Sequence, residues 1–146
     1  MTLPDVTGIG DLPLGVHRAT LSEITQRFGA GSVRRRLLAM RLRRVHEIVQ
    51  STGRLARFIV FGSFITDKED PNDVDIFMIM EDEFDITATG GDARLLFDHA
   101  GAQDHYGCSV FWVRRLAALG GEQAAIEDWK IKRDGTERGI VEITGE

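Results

Sequence analysis

The sequence predicts an α+β fold in which a small mixed β-sheet carries helices packed mainly on one face. The apolar runs at 55–61 and 73–80 have the length and composition of buried strands. The segment 32–52 has instead the apolar period of a long helix. Its predicted buried stripe consists of Leu38, Leu42, Val45 and Val49. A long amphipathic helix followed by two buried strands predicts a sheet with a helix packed on its face.

The bulk properties predict one domain over residues 1–146. A chain of 146 residues with a net charge of −5 is long enough to bury its own core. We expect an irregular N-terminal arm at 1–19, a helical part at 20–53, a core at 55–113, and a helix with a C-terminal hairpin at 114–146. The single Cys108 predicts a reducing, cytoplasmic location and a buried apolar role. The absence of a long apolar run argues against a membrane partner.

Helix-capping signals divide the helical part into two helices. Thr20 and Glu23 have the spacing of a capping box, which predicts a short helix from about residue 20 to 28. Ser32 is a predicted N-cap of the long helix, and Gly53 is a predicted end. Further along the chain we expect a short helix near 92–100 and a third strand at 106–113.

The candidate site begins with two acids at the start of the second core strand. Asp73 and Asp75 are two residues apart, so on a strand they point to the same face. Like charges this close resist joint ionisation unless a cation lies between them. A hard divalent cation such as Mg²⁺ or Mn²⁺ takes oxygen ligands of this kind. The pair therefore predicts a metal site, although an isolated Asp-x-Asp after Pro71 and Asn72 is also typical of a solvated turn.

A glycine–serine pair ends the first core strand. Gly62 permits unusual backbone angles and close approach of a ligand. The Ser63 hydroxyl and the following backbone N–H groups can donate to a phosphate if a helical turn opens there. Together with Asp73 and Asp75, these residues predict a site for a metal-bound nucleotide. Lys68 could approach the phosphate oxygens, although a lysine in this charged loop is more typical of an exposed side chain.

The arrangement of Gly62 and Ser63, then Asp73 and Asp75 on the next strand, resembles the signature of the DNA polymerase β-type nucleotidyltransferase superfamily, above all its minimal, toxin–antitoxin-like members. The resemblance implies a nucleotidyltransferase-like core and a nucleoside triphosphate partner. It implies Mg²⁺ or Mn²⁺ on Asp73 and Asp75, and triphosphate on Gly62 and Ser63. The acceptor of the nucleotidyl group would be a protein hydroxyl, as on a cognate toxin, or an RNA 3′ end.

One position departs from the pattern of that superfamily. Its enzymes usually place a third carboxylate on a neighbouring strand, where this chain has Ser109. Asp104 and Glu142 are possible substitutes, although neither has the expected sequence context. Two functions stay open: transfer of a nucleotidyl group, or non-catalytic binding of a nucleotide or a protein partner by a degenerate site.

Charge is unevenly distributed along the chain. Residues 32–57 contain eight arginines and one acid, whereas residues 67–85 contain nine acids and one lysine. A basic segment beside an acidic site could hold a polyanionic substrate or partner. The alternative is that both segments form solvated faces that pair with each other.

Overall fold

The computed structural model describes residues 3–145 and shows an α+β fold with a five-stranded mixed sheet. The spatial order is β1-β5-β2-β3-β4. The strands are β1 (Gly15–Ala19), β2 (Leu55–Phe61), β3 (Val74–Met80), β4 (Cys108–Arg114) and β5 (Gly139–Ile143). The helices are α1 (Leu21–Phe28), α2 (Val33–Ser51), α3 (His99–Tyr106) and α4 (Glu122–Glu127). Pairs β1–β5 and β3–β4 are parallel, and β2 is antiparallel to both of its neighbours.

The helix ends follow the capping signals. Thr20 Oγ1 accepts from the N–H of Glu23 at 3.1 Å, and the Glu23 side chain accepts from the N–H of Thr20 at 3.4 Å. Ser32 caps α2 by accepting from the N–H of Arg35 at 3.1 Å. Such caps satisfy N–H groups that have no partner inside the helix. The predicted starts of both helices are therefore confirmed.

Two apolar clusters cover the two faces of the sheet. The larger cluster includes the predicted stripe of α2, with Leu38, Leu42, Val45 and Val49 all fully buried. It also takes in residues of α1 and α3. The smaller cluster lies on the other face and includes Phe61, Phe77 and Ile126 of α4, with Trp129 packed against it. The strands between the clusters are buried on both faces, which explains their continuous apolar sequence.

Three predicted elements differ from the structure. The predicted irregular arm at 1–19 is wrong for β1, which pairs with β5; residues 1 and 2 of that arm lie outside the described residues. The predicted C-terminal hairpin is reduced to one isolated bridge between Ile131 and Glu137, and β5 pairs with β1 and β2 instead. The short helix expected at 92–100 is a 3-10 helix, Gly91–Phe97, followed by α3. The first two differences arise because pairing with a distant strand leaves little trace in local sequence.

Within residues 3–145, no helix has both the length and the apolar character needed to cross a membrane.

The β1–β5 contact depends on a small residue at Gly139. A Cβ at that position would lie 2.2 Å from the carbonyl oxygen of Pro13, so the backbone of the arm would have to move. We expect Gly139→Ala to lower the free energy of unfolding by about 1–3 kcal/mol, the usual cost of overpacking. Hydrogen exchange should also become faster at residues 15–19. Gly90→Ala is the matched control, because a Cβ there has no heavy atom within 4 Å. Equal stability of the two variants would contradict the placement of β1.

Candidate functional site

The strand topology brings the predicted site residues to one edge of the sheet. The end of β2 lies beside the start of β3, where Phe61 pairs with Asp75. The start of β4 lies on the other side of β3, where Ser109 pairs with Asp75. Gly62 and Ser63 directly follow β2, and Asp73 directly precedes β3. Residues that are distant in sequence therefore meet at this edge.

The alternation of β3 separates its acids from its main-core residues. The residues that contribute to the larger cluster are Val74, Ile76, Met78 and Met80, as the sequence predicted. Phe77 belongs to the smaller cluster, and Asp75, two residues before it on β3, lies on the same face of the sheet. Asp73 and Asp75 are both part-buried, and the charge of Asp73 acts on the Asp75 carboxylate. The two carboxylates thus meet on one face at the end of the smaller cluster.

Gly62 is in contact with the carboxylate of Asp75. A Cβ on Gly62 would lie 2.0 Å from Oδ2 of Asp75, and the glycine has a φ of +84°. Both facts restrict this position to glycine, because side chains clash there and L-residues rarely adopt that φ. The 3-10 helix Ser63–Ile65 begins immediately afterwards, as predicted for the corner.

Arg35 of α2 holds the loop after this corner in place. Its buried guanidinium donates to the carbonyl oxygens of Phe28 at 3.0 Å, Phe64 at 2.8 Å and Thr66 at 2.8 Å. It also donates to the carbonyl oxygen of Lys68. Burial lowers the pKa of Arg35, and nearby acids oppose that shift. Sequence reasoning missed this role, because the spacing of α2 only marks Arg35 as one arginine among many.

The acid pair has neutral polar neighbours on β4 and α3. Oδ2 of Asp73 lies 3.0 Å from Oγ of Ser109 and 3.2 Å from Nε2 of Gln103. Ser109 Oγ also lies 2.9 Å from Oε1 of Gln103, and its single proton serves one acceptor at a time. Gln103 was not predicted as a site residue, since nothing in the sequence of α3 marks it.

Burial raises the pKa of Asp75 to about 7. The charge of Asp73 and the hydrogen bond between the two carboxylates raise it further, whereas Arg138 and Ser109 lower it. Asp75 is therefore about half protonated at pH 7 instead of carrying a full charge. A dication would displace that proton, since it compensates both charges at once.

The described residues provide no third acid for this site. Across residues 3–145, no group of three or more His, Cys, Asp or Glu side chains could hold a metal ion. Glu142 is instead bound by Arg57, whose nitrogens lie 2.8 and 2.7 Å from its two carboxylate oxygens. Asp104 is exposed on α3 and belongs to no such group. Neither Asp104 nor Glu142 therefore supplies the third carboxylate that the superfamily pattern places at position 109.

Cys108 has the buried role that the sequence predicts. Its side chain is fully buried, and burial raises the pKa of its thiol to about 12. The thiolate, which is the nucleophilic form, is thus absent at neutral pH.

A pocket of about 350 Å³ opens beside the Gly62–Ser63 corner. Its cationic side chains are Lys68, Lys132 and Arg138. Nζ of Lys132 lies 2.7 Å from Oδ2 of Asp11, which also lines the pocket. Two carboxylates, Asp11 and Asp67, line the same cavity, so three cations against two acids leave one net positive charge beside the glycine–serine backbone, which favours an anionic ligand.

Arg138 links this pocket to the acid pair. Its guanidinium lies over the ring of Phe61, 4.8 Å from the centroid, and its Nε donates to the carbonyl oxygen of Trp129 at 2.9 Å. It interacts electrostatically with Asp75 and Asp11. The sequence predicted only a C-terminal hairpin in this region, because the contacts that bring residue 138 to the corner are long-range.

The titration of Asp75 predicts a pH dependence of stability. Its pKa in the folded protein lies above the ordinary value of 3.8. The folded state therefore binds more protons than the unfolded state between about pH 4 and pH 7, and stability falls as the pH rises through that window. We expect wild type to lose about 1–3 kcal/mol of unfolding free energy between pH 5 and pH 8 that Asp75→Asn does not lose. Urea titrations at both pH values measure this difference.

Asp104→Asn is the control for that measurement, because Asp104 is exposed. It should follow the wild-type profile. A wild-type-like loss in Asp75→Asn would show that Asp75 is an ordinary carboxylate.

A comparison with known proteins gives one match. The matching family is described as a family of unknown function, DUF6932, and the match covers residues 4–144. No curated protein and no solved structure matches the chain. Because the match spans nearly the whole sequence, the chain belongs to the DUF6932 family.

Proposed function

We propose that this protein is a metal-dependent nucleotidyltransferase-like protein that transfers a nucleoside monophosphate from a triphosphate to a hydroxyl of a protein or an RNA. The observation that carries the proposal is the direct contact between the Gly62 backbone and the Asp75 carboxylate. In the superfamily that the sequence resembles, a phosphate-binding corner and a metal-binding acid stand together in this way. The contact therefore supports the proposal independently of the spacing of these residues in the sequence.

The acid pair suits a hard dication. Asp73 and Asp75 supply two adjoining carboxylates, and the raised pKa of Asp75 reflects its burial and, second to that, the charge of Asp73 beside it. Mg²⁺ is usually held by one or two carboxylates, with water and substrate phosphates as its other ligands. A two-acid site without a third protein carboxylate is consistent with that pattern. When bound, the dication would supply neutralisation of charge on the reacting oxygens.

The pocket beside the corner suits the triphosphate. Gly62 and Ser63 would hold the β- and γ-phosphates through backbone N–H groups and the serine hydroxyl. Lys68, Lys132 and Arg138 would add positive charge around the same phosphates. Lys132 is paired with Asp11 in this structure, so it would have to exchange that carboxylate for a phosphate oxygen.

The proposed reaction is an in-line displacement at the α-phosphorus. The acceptor hydroxyl oxygen forms a bond to the α-phosphorus, the bond from that phosphorus to the bridging oxygen breaks, and pyrophosphate leaves. The hydroxyl proton passes to solvent or to a carboxylate of the pair. Positioning and charge neutralisation account for most of the rate in such reactions.

A second function is nucleotide binding without transfer, and the residue at position 109 favours it. Ser109 pairs with Asp75 where a third acid would stand, and no other acid joins the pair within residues 3–145. A serine hydroxyl neither holds a metal strongly nor accepts a proton at neutral pH. In this second function, the protein binds a nucleotide without transferring it, and the nucleotide-bound form recognises a protein partner.

Nucleotide binding is tested first with Asp73→Asn combined with Asp75→Asn. We expect Mg²⁺ with ATP, CTP, GTP or UTP to raise the melting temperature of wild type and not that of the double variant. The substitution removes charge repulsion, so the double variant should fold well and lost binding would not reflect unfolding. Titration calorimetry with and without Mg²⁺ gives the affinity. Metal-independent binding, or equal binding by the double variant, would exclude the acid pair from the site.

Transfer is tested separately by restoring the missing acid. We expect Ser109→Asp to increase incorporation of label from an α-³²P-labelled triphosphate into bulk RNA or a co-purifying protein by at least about 100-fold, the usual contribution of a positioned acid or base. Ser109→Ala removes the hydroxyl without adding an acid and is the control. Efficient labelling by wild type that Ser109→Asp does not improve would favour transfer without a third carboxylate. Binding without any labelling, even in Ser109→Asp, would favour the recognition function.

A further inference from the structure

Helix α2 has a second apolar stripe that no part of the described chain covers. Val33, Leu37 and Met40 are 74%, 40% and 67% exposed. Their spacing of four and three residues places them in one line along the helix. This ridge lies opposite the buried stripe that packs on the sheet.

Arginines flank this apolar ridge on both sides. With 3.6 residues per turn, Arg34 and Arg41 fall along one side of the line, and Arg36 and Arg43 fall along the other. Arg44 continues the line beyond Met40. In heptad terms, the ridge occupies the a and d positions, and the flanking arginines occupy e and g.

These five arginines have no acidic partner in the described chain. Elsewhere, Arg27, Arg57 and Arg115 each have a carboxylate oxygen within 4.0 Å. Within residues 3–145 no carboxylate lies that close to any of the five on α2, which are Arg34, Arg36, Arg41, Arg43 and Arg44. The first turn of α2 also contains no acidic residue. Positive charge at a helix N-terminus opposes the helix dipole, so Arg34 and Arg36 do not serve helix stability.

The ridge and its arginines together specify the chemistry of an occupant. An exposed apolar ridge is covered by apolar side chains, and the arginines beside it are matched by carboxylates. A second copy of α2 would bring like charges together at every e and g position, which disfavours self-pairing. A nucleic-acid backbone would match the arginines and leave the aliphatic ridge exposed.

We infer that this face of α2 binds an amphipathic helix of another protein, with an apolar stripe flanked by Asp and Glu. The inference does not depend on the proposed nucleotidyl transfer. Its position is nevertheless close to the candidate site, because Nη1 of Arg34 donates to the carbonyl oxygen of Asn72 at 3.3 Å. Asn72 directly precedes Asp73, so a bound helix would lie beside the acid pair.

The test uses designed fluorescein-labelled peptides of about three heptads, the length of a short coiled coil. The acidic peptide has Leu at a and d and Glu at e and g. One comparison peptide has Lys at e and g, and the other keeps Glu but has Ser at a and d. By fluorescence anisotropy with the full chain, we expect the acidic peptide to bind at least about tenfold more tightly than either comparison peptide.

Two double variants on this face, each with a control variant elsewhere, distinguish the face from the rest of the surface. Leu37→Ser with Met40→Ser should weaken binding of the acidic peptide at least about tenfold. Leu116→Ser with Leu119→Ser should leave it unchanged, although those leucines are even more exposed. Arg34→Glu with Arg36→Glu should lose the acidic peptide and gain the lysine peptide, whereas Arg18→Glu should do neither. The acids favour the first turn of a helix, so the charge-reversed α2 should stay folded.

Three outcomes would overturn the inference. The first is equal binding of all three peptides, or no binding of the acidic peptide. The second is binding of single-stranded oligo(U) RNA that the Arg34→Glu with Arg36→Glu variant loses, without peptide binding. The third is a dimer in sedimentation velocity that Leu37→Ser with Met40→Ser dissociates, which would make a second copy the occupant.

Discussion

The burial of two adjoining carboxylates, Asp73 and Asp75, at the start of β3 is the constraint on which the candidate site depends. Burial is the main cause of the raised pKa of Asp75, and the charge of Asp73 raises that pKa further. The surrounding groups reduce the cost of ionising this pair without removing it: Arg138 brings positive charge, and Ser109 provides a hydroxyl beside Asp73. The pair thus keeps an electrostatic cost that a bound cation would reduce.

The corner that faces this pair is fixed from the opposite face of the sheet. Arg35 reaches from α2 to three carbonyl oxygens of the loop that follows Ser63, those of Phe64, Thr66 and Lys68. A guanidinium has five donors in a rigid plane, so one side chain can fix several carbonyl groups at once. The position of Gly62 against Asp75 therefore depends on the packing of α2 as well as on β2 and β3. Packing and the geometry of the site are coupled through that single helix.

The local parts of this architecture could be predicted from the sequence. Short-range periodicity and spacing predict the capping residue Thr20, the buried stripe of α2 and the two core strands. They also predict that Asp73 and Asp75 lie on the same face of β3. The parts that could not be predicted are set by long-range packing. Strand β1 forms because β5 offers it a parallel edge, and Arg138 reaches the corner because β5 runs beside β2. Nothing within a few residues of Gly15 or Arg138 encodes those neighbours, so the N-terminal strand and two of the three cations at the pocket, Lys132 and Arg138, were missed.

Helix α2 combines functions that its composition alone does not separate. Its inner face packs on the sheet and, through Arg35, holds the loop that follows the Gly62–Ser63 corner. Its outer face exposes an aliphatic ridge between arginines that have no acidic partner in residues 3–145. Sequence reasoning treats the eight arginines of residues 32–57 as one basic segment, either a polyanion surface or a solvated face. The structure divides them by direction: Arg35 points inward and is structural, and Arg57 neutralises Glu142. The arginines on the outer face of α2 have neutral partners where they have any, such as Thr25 for Arg43 and the Tyr106 ring for Arg44. The same helix carries the proposed binding face and Arg35, which holds the loop after the Gly62–Ser63 corner. A partner that shifts α2 would therefore also shift this corner relative to the acid pair.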